Sequence, residues 1–338
     1  MQKDIVVIGS GSWGIALSIL LLENGHRVRL WSYQREEAER IRAERMNAAF
    51  LPGVEIPPGI QIIHDIAQAR DAQVYVYASP SAVIRSVVGS FAAVMPPDAL
   101  VVNVAKGLED GTLLRLSQVI EQAAPGRRVG VLTGPSHAEE VSRKVPTACV
   151  ASSTDMKTAH DIQDIFMSPV FRIYTNADIV GVELGGAMKN VIALAAGASD
   201  GMGFGDNTKA ALMTRGMYEM ARLGVAMGAK RETFGGLTGM GDMIVTCTSM
   251  HSRNRRAGIL LGQGKSLAET LAEVRMVVEG VEASRAALHL AQKYGVDMPI
   301  TYEINQALWH GKSPRQAVMD LMTRDKKLED SGEDAYLV

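Results

Sequence analysis

Cysteine is almost missing from this 338-residue chain: Cys149 and Cys247 are the only two. Thiols so few and so far apart exclude a disulfide framework. They point to small buried residues in a reducing compartment, hence the cytoplasm. Excess charge is missing too: 35 lysines and arginines against 37 aspartates and glutamates leave a net charge of -2. Such a balance gives no global attraction to phosphate backbones or anionic lipid. Three arginines do cluster at Arg253, Arg255 and Arg256, but no aromatic residue interleaves them. Nucleic acid is therefore not expected as a partner. The seven histidines contain no H-x-x-x-H pair and neither cysteine has a close metal-ligand neighbour. No metal site is expected. An uncharged run over residues 5–22 approaches the length of a membrane span, yet glycines and serines interrupt it and no small-residue cleavage motif follows before Glu23. Neither a signal peptide nor an integral membrane segment is expected.

What is present describes a globular chain: 47% hydrophobic and 21% charged residues. Its length suggests two domains at about 150 residues each. Short apolar runs, many β-branched, recur at 5–8, 28–31, 61–63, 74–78, 100–104 and 129–132, with helical spacing between them. Continuous apolar runs of this kind suit strands buried on both faces, and the β-α-β-α order predicts a mostly parallel sheet with helices on both faces. Two more strands are predicted at 148–151 and 171–174, around a helix at 156–166. Beyond residue 176 the period changes. Segments 180–198, 209–227, 253–261, 267–273, 279–294 and 300–309 carry helical apolar spacing, with Gly295 as a stop and Pro299 and Pro314 as starts. We therefore expect an α/β domain over 1–177 and an all-helical domain over 178–338, with a solvated, partly disordered charged tail after Arg324. The many methionines, including Met213, Met217, Met220 and Met227, are read as core filler.

The first predicted strand runs into Gly9-Ser10-Gly11-Ser12-Trp13-Gly14, a G-x-G-x-x-G. Chance alone would give that spacing about 0.3 times in a chain with this much glycine, so its position is what informs. It follows a strand, opens an apolar helix and is succeeded by Gly25 and a second strand. In that setting Gly9 permits the turn, Gly11 the approach of a pyrophosphate and Gly14 the packing of helix on strand, with helix amides as donors. An NAD-selective site usually has an acid about 20 residues on, at the end of the second strand. Here Ser32 and Tyr33 hold that place and no carboxylate comes before Glu36, while Arg35 is near enough to meet a 2'-phosphate. The expectation is NADPH in preference to NADH. The competing reading makes Arg35 part of a charged, solvated helix with Glu36, Glu37, Glu39 and Arg40.

Other signals follow strands. Ala105-Lys106-Gly107-Leu108 comes after the fifth and Thr133-Gly134-Pro135-Ser136-His137-Ala138 after the sixth. Ligands of open parallel sheets bind beyond the carboxyl ends of strands, so both segments are placed for chemistry. His137 reads either as a ligand contact or as packing at a helix start. The helical half presents Glu183-Leu184-Gly185-Gly186-Ala187-Met188-Lys189-Asn190. Each glycine there costs a helix about 1 kcal/mol against alanine, which suggests a close approach. Lys189 beside it could be an acid or base in a poorly hydrated cleft, or merely a lysine snorkelling from a helix surface.

These blocks, joined by Ser199-Asp200-Gly201-Met202-Gly203-Phe204-Gly205, Gly239-Met240-Gly241-Asp242 and Ser252-Arg253-Asn254-Arg255-Arg256, resemble the bacterial NAD(P)-dependent glycerol-3-phosphate dehydrogenases. The resemblance runs from the first strand to about Pro314. It implies a Rossmann domain followed by a helical domain of the 6-phosphogluconate dehydrogenase type, and NADPH or NADH (NADP or NAD) as cofactor. By the resemblance, Ser12 and Trp13 would contact the cofactor pyrophosphate within the Gly9, Gly11 and Gly14 loop. Tyr33 would sit at the adenosine ribose or its phosphate, with Ala138, Val277 and Glu279 completing the cofactor contacts. Lys106 would lie between cofactor and substrate. Gly134, Ser136, Asp242, Ser252, Arg253 and Asn254 would hold substrate, Arg253 also reaching the cofactor, and Asp242 would orient Lys189. Lys189 would be the proton donor and acceptor and also touch substrate. The implied reaction interconverts dihydroxyacetone phosphate and sn-glycerol 3-phosphate for phospholipid synthesis. Relatives suggest a homodimer, although monomeric packing would read the same. A related reductase or dehydrogenase of the same two-domain plan acting on a β-hydroxyacid or on a 2-keto acid such as ketopantoate, or a silent dinucleotide sensor, is the alternative; the motif order fits the first of these less well.

Overall fold

The structure, a computed structural model, describes residues 1–326 and 328–329. Of the charged tail, Lys327, Asp330, Glu333 and Asp334 lie outside the described residues. Contacts divide the chain into two compact units: Met1–Ala187 together with Gly235–Asp242, and Met188–Phe234 together with the chain from Met243 onward. The sequence pattern changes at residue 177. The units part later, inside the helix Ile179–Gly201, and the first unit takes back a short segment from the second half of the chain.

The first unit is built on eight strands: β1 (Asp4–Ile8), β2 (Arg27–Trp31), β3 (Gln61–Ile63), β4 (Val74–Tyr77), β5 (Leu100–Asn103), β6 (Arg128–Thr133), β7 (Thr147–Ser152) and β8 (Phe171–Asn176). They form one sheet in the order β3-β2-β1-β4-β5-β6-β7-β8. Every pairing is parallel except β6 with β7. Between those two, only the short helical turn Ala138–Val141 intervenes. A four-residue helical turn rises only about 6 Å and cannot carry the chain back along the sheet, and the strand comes back antiparallel.

The continuous apolar runs are explained by two cores, one on each face. Ile5 and Val7 of β1 belong to one cluster and Val6 and Ile8 to the other; Val74 and Val76 are likewise opposed to Tyr75 and Tyr77. Alternate side chains of a strand point to opposite faces, and here both faces are covered. All eight of those side chains are fully or almost fully buried. Each contributes about 1.5–3 kcal/mol relative to exposure. Both cysteines are buried thiols, and burial raises Cys149 to about 12, so it stays protonated and inert.

Every regular element of the second unit among its described residues is a helix. The predicted helices are present as Asp206–Ala226, Arg253–Gly262, Leu267–Val274, Glu279–Tyr294, Pro299–Trp309 and Pro314–Met322. Gly295 ends one of them in a left-handed conformation at φ 67°, and proline opens the last two. The helix Ile179–Gly201 has the length and apolarity of a membrane span, but 89% of its most apolar window is buried in the fold. It is a core helix.

Candidate active site

The glycine loop stands at the carboxyl end of β1, and each glycine has a different local reason. Gly9 has φ +121°, and a Cβ there would come 2.9 Å from the Ala78 carbonyl oxygen. A Cβ on Gly14 would come 1.9 Å from the Gly9 oxygen. Gly11 is the opposite case, with nothing within 4 Å of such an atom. Open space therefore lies over the one glycine expected to let a ligand approach. Gly11 is also the N-cap of the helix Ser12–Glu23 and supplies no side-chain cap. The first-turn amides are left for an anion, where the helix dipole favours it. Trp13 adds a buried indole Nε1 with no hydrogen-bond partner among the described residues, its ring 6.4 Å from Phe171. These features fit a dinucleotide pyrophosphate. Ala138 packs in the core cluster that holds Ile15 and Ile19 of the same helix. Tyr33 is 73% exposed and stands edge-on to Trp31 at the end of β2.

At the ends of β5 and β6 the first unit gathers four of the expected substrate residues. Lys106 Nζ donates to the Gly134 oxygen at 3.0 Å and to Asp242 Oδ2 at 2.6 Å. Ser136 Oγ donates to the same Gly134 oxygen at 3.0 Å. Gly134 has φ +144° and sits where a Cβ would come 3.0 Å from Cys149 Cα. Asp242 is almost fully buried, so its charge requires the Lys106 partner. Thr133 Oγ1 at the end of β6 is buried without a partner among the described residues. The close approach suggested by Gly185 and Gly186 is real. It is made by the protein itself, since Cβ atoms there would meet the Thr238 oxygen at 3.1 Å and Thr133 Oγ1 at 2.9 Å.

Upstream in the same helix, buried Glu183 accepts from Ser117 N at 2.9 Å, Ser117 Oγ at 2.6 Å and Arg115 Nη1 at 2.5 Å. Burial nevertheless holds its pKa above the ordinary carboxylate value. This cluster fixes the start of the Lys189 helix on the first unit.

The remaining expected residues lie in the second unit. Lys189 is 5% exposed, and its Nζ donates to Thr246 Oγ1 at 2.5 Å. It does not snorkel to water. Ser252 caps the helix Arg253–Gly262, its Oγ accepting from Arg255 N at 3.2 Å. Arg253 begins that helix and makes no hydrogen bond or ion pair among the described residues, whereas Arg255 is engaged by Asp200 through contacts of 2.9 and 2.7 Å. Asn254 is engaged within the protein. Its Nδ2 donates to Asn190 Oδ1 at 2.9 Å and its Oδ1 accepts from Gly280 N at 2.8 Å. Asn190 in turn donates to Glu279 Oε2 at 3.1 Å. This buried chain locks together three helices next to Lys189. Val277 is 53% exposed just before the helix Glu279–Tyr294.

Sequence reasoning passed over Thr246, Asn190 and Glu37. Thr246 meets Lys189 from 57 residues away, Asn190 bonds Glu279 and Asn254 on other helices, and Glu37 sits in a run of charges that hides its contacts with Ser10, Ser32 and Asn47. A cavity of about 770 Å³ at the amino ends of the strands, lined by Lys3, Val74, Leu100 and Arg128 among others, holds none of these residues. It lies at the wrong edge of the sheet for the ligands of this architecture.

Residues 4–159 match the family described as NAD-dependent glycerol-3-phosphate dehydrogenase N-terminus, and residues 178–319 match its C-terminus. The chain belongs to the NAD-dependent glycerol-3-phosphate dehydrogenase family. It is 52% identical over 328 residues to the glycerol-3-phosphate dehydrogenase [NAD(P)+] of Fusobacterium nucleatum, covering 96% of this chain and 98% of that one. With the enzyme of the same name from Pelotomaculum thermopropionicum it shares 53% over 333 residues, 97% of this chain and 95% of the relative. The crystal structure of glycerol-3-phosphate dehydrogenase from Coxiella burnetii superposes with a TM-score of 0.92 at 34% identity, covering 96% of this chain and 99% of that chain.

Proposed function

We propose that this chain reversibly reduces dihydroxyacetone phosphate to sn-glycerol 3-phosphate with NADH or NADPH, in the cytoplasm, supplying the glycerol phosphate backbone of phospholipids. The observation that carries the reading is Lys189, an ammonium group buried at 5% exposure and held by the Thr246 hydroxyl. A buried lysine so placed is a proton donor with a fixed direction.

The glycine loop and the uncapped amides of the Ser12–Glu23 helix hold the dinucleotide, with Trp13 and Ala138 beside them and Tyr33 at the adenosine end. By the family resemblance, Val277 and Glu279 also touch the dinucleotide. When bound, the dihydronicotinamide supplies the hydride that reduces the ketone carbon. As that carbon is reduced, its oxygen takes on alkoxide character, and Lys189 stabilises the charge and delivers the proton from Nζ. Thr246 holds the ammonium in place, and the oxidative direction returns the proton to the same nitrogen. General acid catalysis of this kind contributes about 10²- to 10⁴-fold.

Arg253 grips the substrate phosphate through its guanidinium fork, aided by Ser252 and the first amides of its helix. Asn254 contributes by fixing Asn190 and Gly280. Lys106, paired with Asp242 and anchored on Gly134, is a directed donor for a substrate hydroxyl or carbonyl, with Ser136 alongside. The test is the absorbance of the reduced nicotinamide on addition of dihydroxyacetone phosphate. Rapid oxidation that dihydroxyacetone phosphate supports and ketopantoate does not is the expected result; binding of the nucleotide without turnover on the phosphorylated ketone would overturn it.

A further inference from the structure

The end of β2 carries a charge that its sequence hides. Glu37, in the first turn of the helix Arg35–Glu44, does not point to solvent with its neighbours. Its Oε2 accepts from Ser10 Oγ at 2.8 Å and from Ser32 Oγ, and its Oε1 accepts from Asn47 Nδ2 at 3.2 Å. Asn47 Nδ2 also donates to the Ser10 carbonyl oxygen at 3.0 Å. Ser10, Ser32 and Asn47 are all buried. A carboxylate from the following helix is thereby pinned between the glycine loop and Ser32, the residue that follows β2.

Three points give it a role beyond bracing. Its hydrogen-bond donors are all neutral, and no cation lies within ion-pair distance of it among the described residues. The negative charge is therefore uncompensated. Two donors on Oε2 fill that oxygen, but Oε1 takes only the long Asn47 contact, and a carboxylate oxygen can accept twice. Finally, Arg35, the residue that favoured a 2'-phosphate, is 73% exposed at its side chain and leans on Glu39 at 3.9 Å.

We infer that Glu37 is a cofactor-selecting residue: its carboxylate accepts from the adenosine ribose hydroxyls and repels a 2'-phosphate, so the chain binds NADH more tightly than NADPH. This reverses the preference drawn from Ser32 and Arg35, and it rests on the proposed function. An acid reaching this place from the first turn of the helix serves as one at the strand end would, because the ribose comes to the end of the second strand in such folds. The repulsion is local, between groups only partly screened by water.

The test titrates the whole protein with NADH and with NADPH, following nicotinamide fluorescence. The parent is expected to bind NADH more tightly. In Glu37→Gln the NADPH to NADH affinity ratio should rise about tenfold, equal to about 1.4 kcal/mol. Glu36→Gln removes the same charge from an exposed neighbour, and its ratio should stay within about twofold because screening weakens exposed charges. Equal shifts in the two variants, a ratio unmoved in Glu37→Gln, or a parallel loss of both affinities would overturn the inference; the last would leave Glu37 a brace only. If Glu37→Gln does not fold, the parent decides. Added salt screens repulsion, so the disadvantage of NADPH should narrow as ionic strength rises, and its widening would refute the assignment. Failure of both nucleotides to bind would overturn the dehydrogenase reading, and this inference with it.

Discussion

Replacing Gly258 with alanine should lower the melting temperature, whereas the same replacement at Gly89 should raise it. Gly197 and Gly201 lie on the Lys189 helix, and Gly258 and Gly262 on the Arg253 helix, each pair one turn apart. A Cβ at Gly258 would stand 2.1 Å from the Leu194 oxygen and 2.8 Å from Ala198 N, where ordinary contact begins at 3.4 Å. The shortfall of about 1.3 Å is against backbone, which cannot rotate away. The two helices must separate, losing contact along the crossing. Overpacking of this kind costs about 1–3 kcal/mol, and more where nothing can yield. Helix propensity works the other way, by up to about 1 kcal/mol in favour of alanine. The net expectation is a loss of about 2 kcal/mol, or roughly 4–8 °C in Tm for a unit of this size. Gly89 is exposed in the helix Ile84–Ala92 with nothing within 4 Å of a Cβ. There the propensity gain of up to about 1 kcal/mol stands alone. Thermal melts by far-ultraviolet circular dichroism read both signs. A Gly258→Ala protein melting at or above the parent would refute the backbone contact between the helices.

Two further outcomes are expected. Arg253→Ala should raise KM for dihydroxyacetone phosphate by at least about tenfold, the scale of a lost charge-assisted contact of 1.5–3 kcal/mol; an unchanged KM in steady-state assays would put the phosphate elsewhere. Glu219 accepts from Ile300 N at 2.6 Å and from Thr301 N and Oγ1 at 3.1 Å, at the start of the helix Pro299–Trp309, yet burial raises its pKa to about 7 from 4.5. Between those values the folded chain holds a proton that the unfolded chain releases, so this group's contribution to stability falls as pH rises from about 5 to about 7. Denaturant melts of the parent and of Glu219→Gln should therefore differ in pH slope over that window, the variant being flatter; parallel slopes would show that Glu219 is ionised throughout.

The fold was legible because its signals are local. Eight apolar runs gave eight strands, and the change of period near residue 177 marked where strands end. The glycine loop was legible for the same reason, since turn, helix start and strand lie within one short stretch. Contacts made through distant partners were not. Glu37 reads as one more charge on a solvated helix, and only the fold shows Ser10, Ser32 and Asn47 drawing it inward. Asn254 reads as a polar ligand residue, while its amide is engaged by Asn190 and Gly280. Lys106 reads as a residue between cofactor and substrate, and the Asp242 carboxylate that its ammonium meets lies 136 residues away. The spacing of Gly197 with Gly201 and of Gly258 with Gly262 is visible in the sequence as two small-residue pairs, but a helix crossing needs both partners known before either pair has meaning.

The most direct test of the whole account is Lys189→Ala, measured on one preparation for both turnover and nucleotide binding. A fall in kcat of about 10²- to 10⁴-fold, with the dissociation constant for the reduced nicotinamide dinucleotide within about twofold of the parent, is the expected result. Turnover close to the parent's would contradict the account, because the developing alkoxide would then be taking its proton from another group.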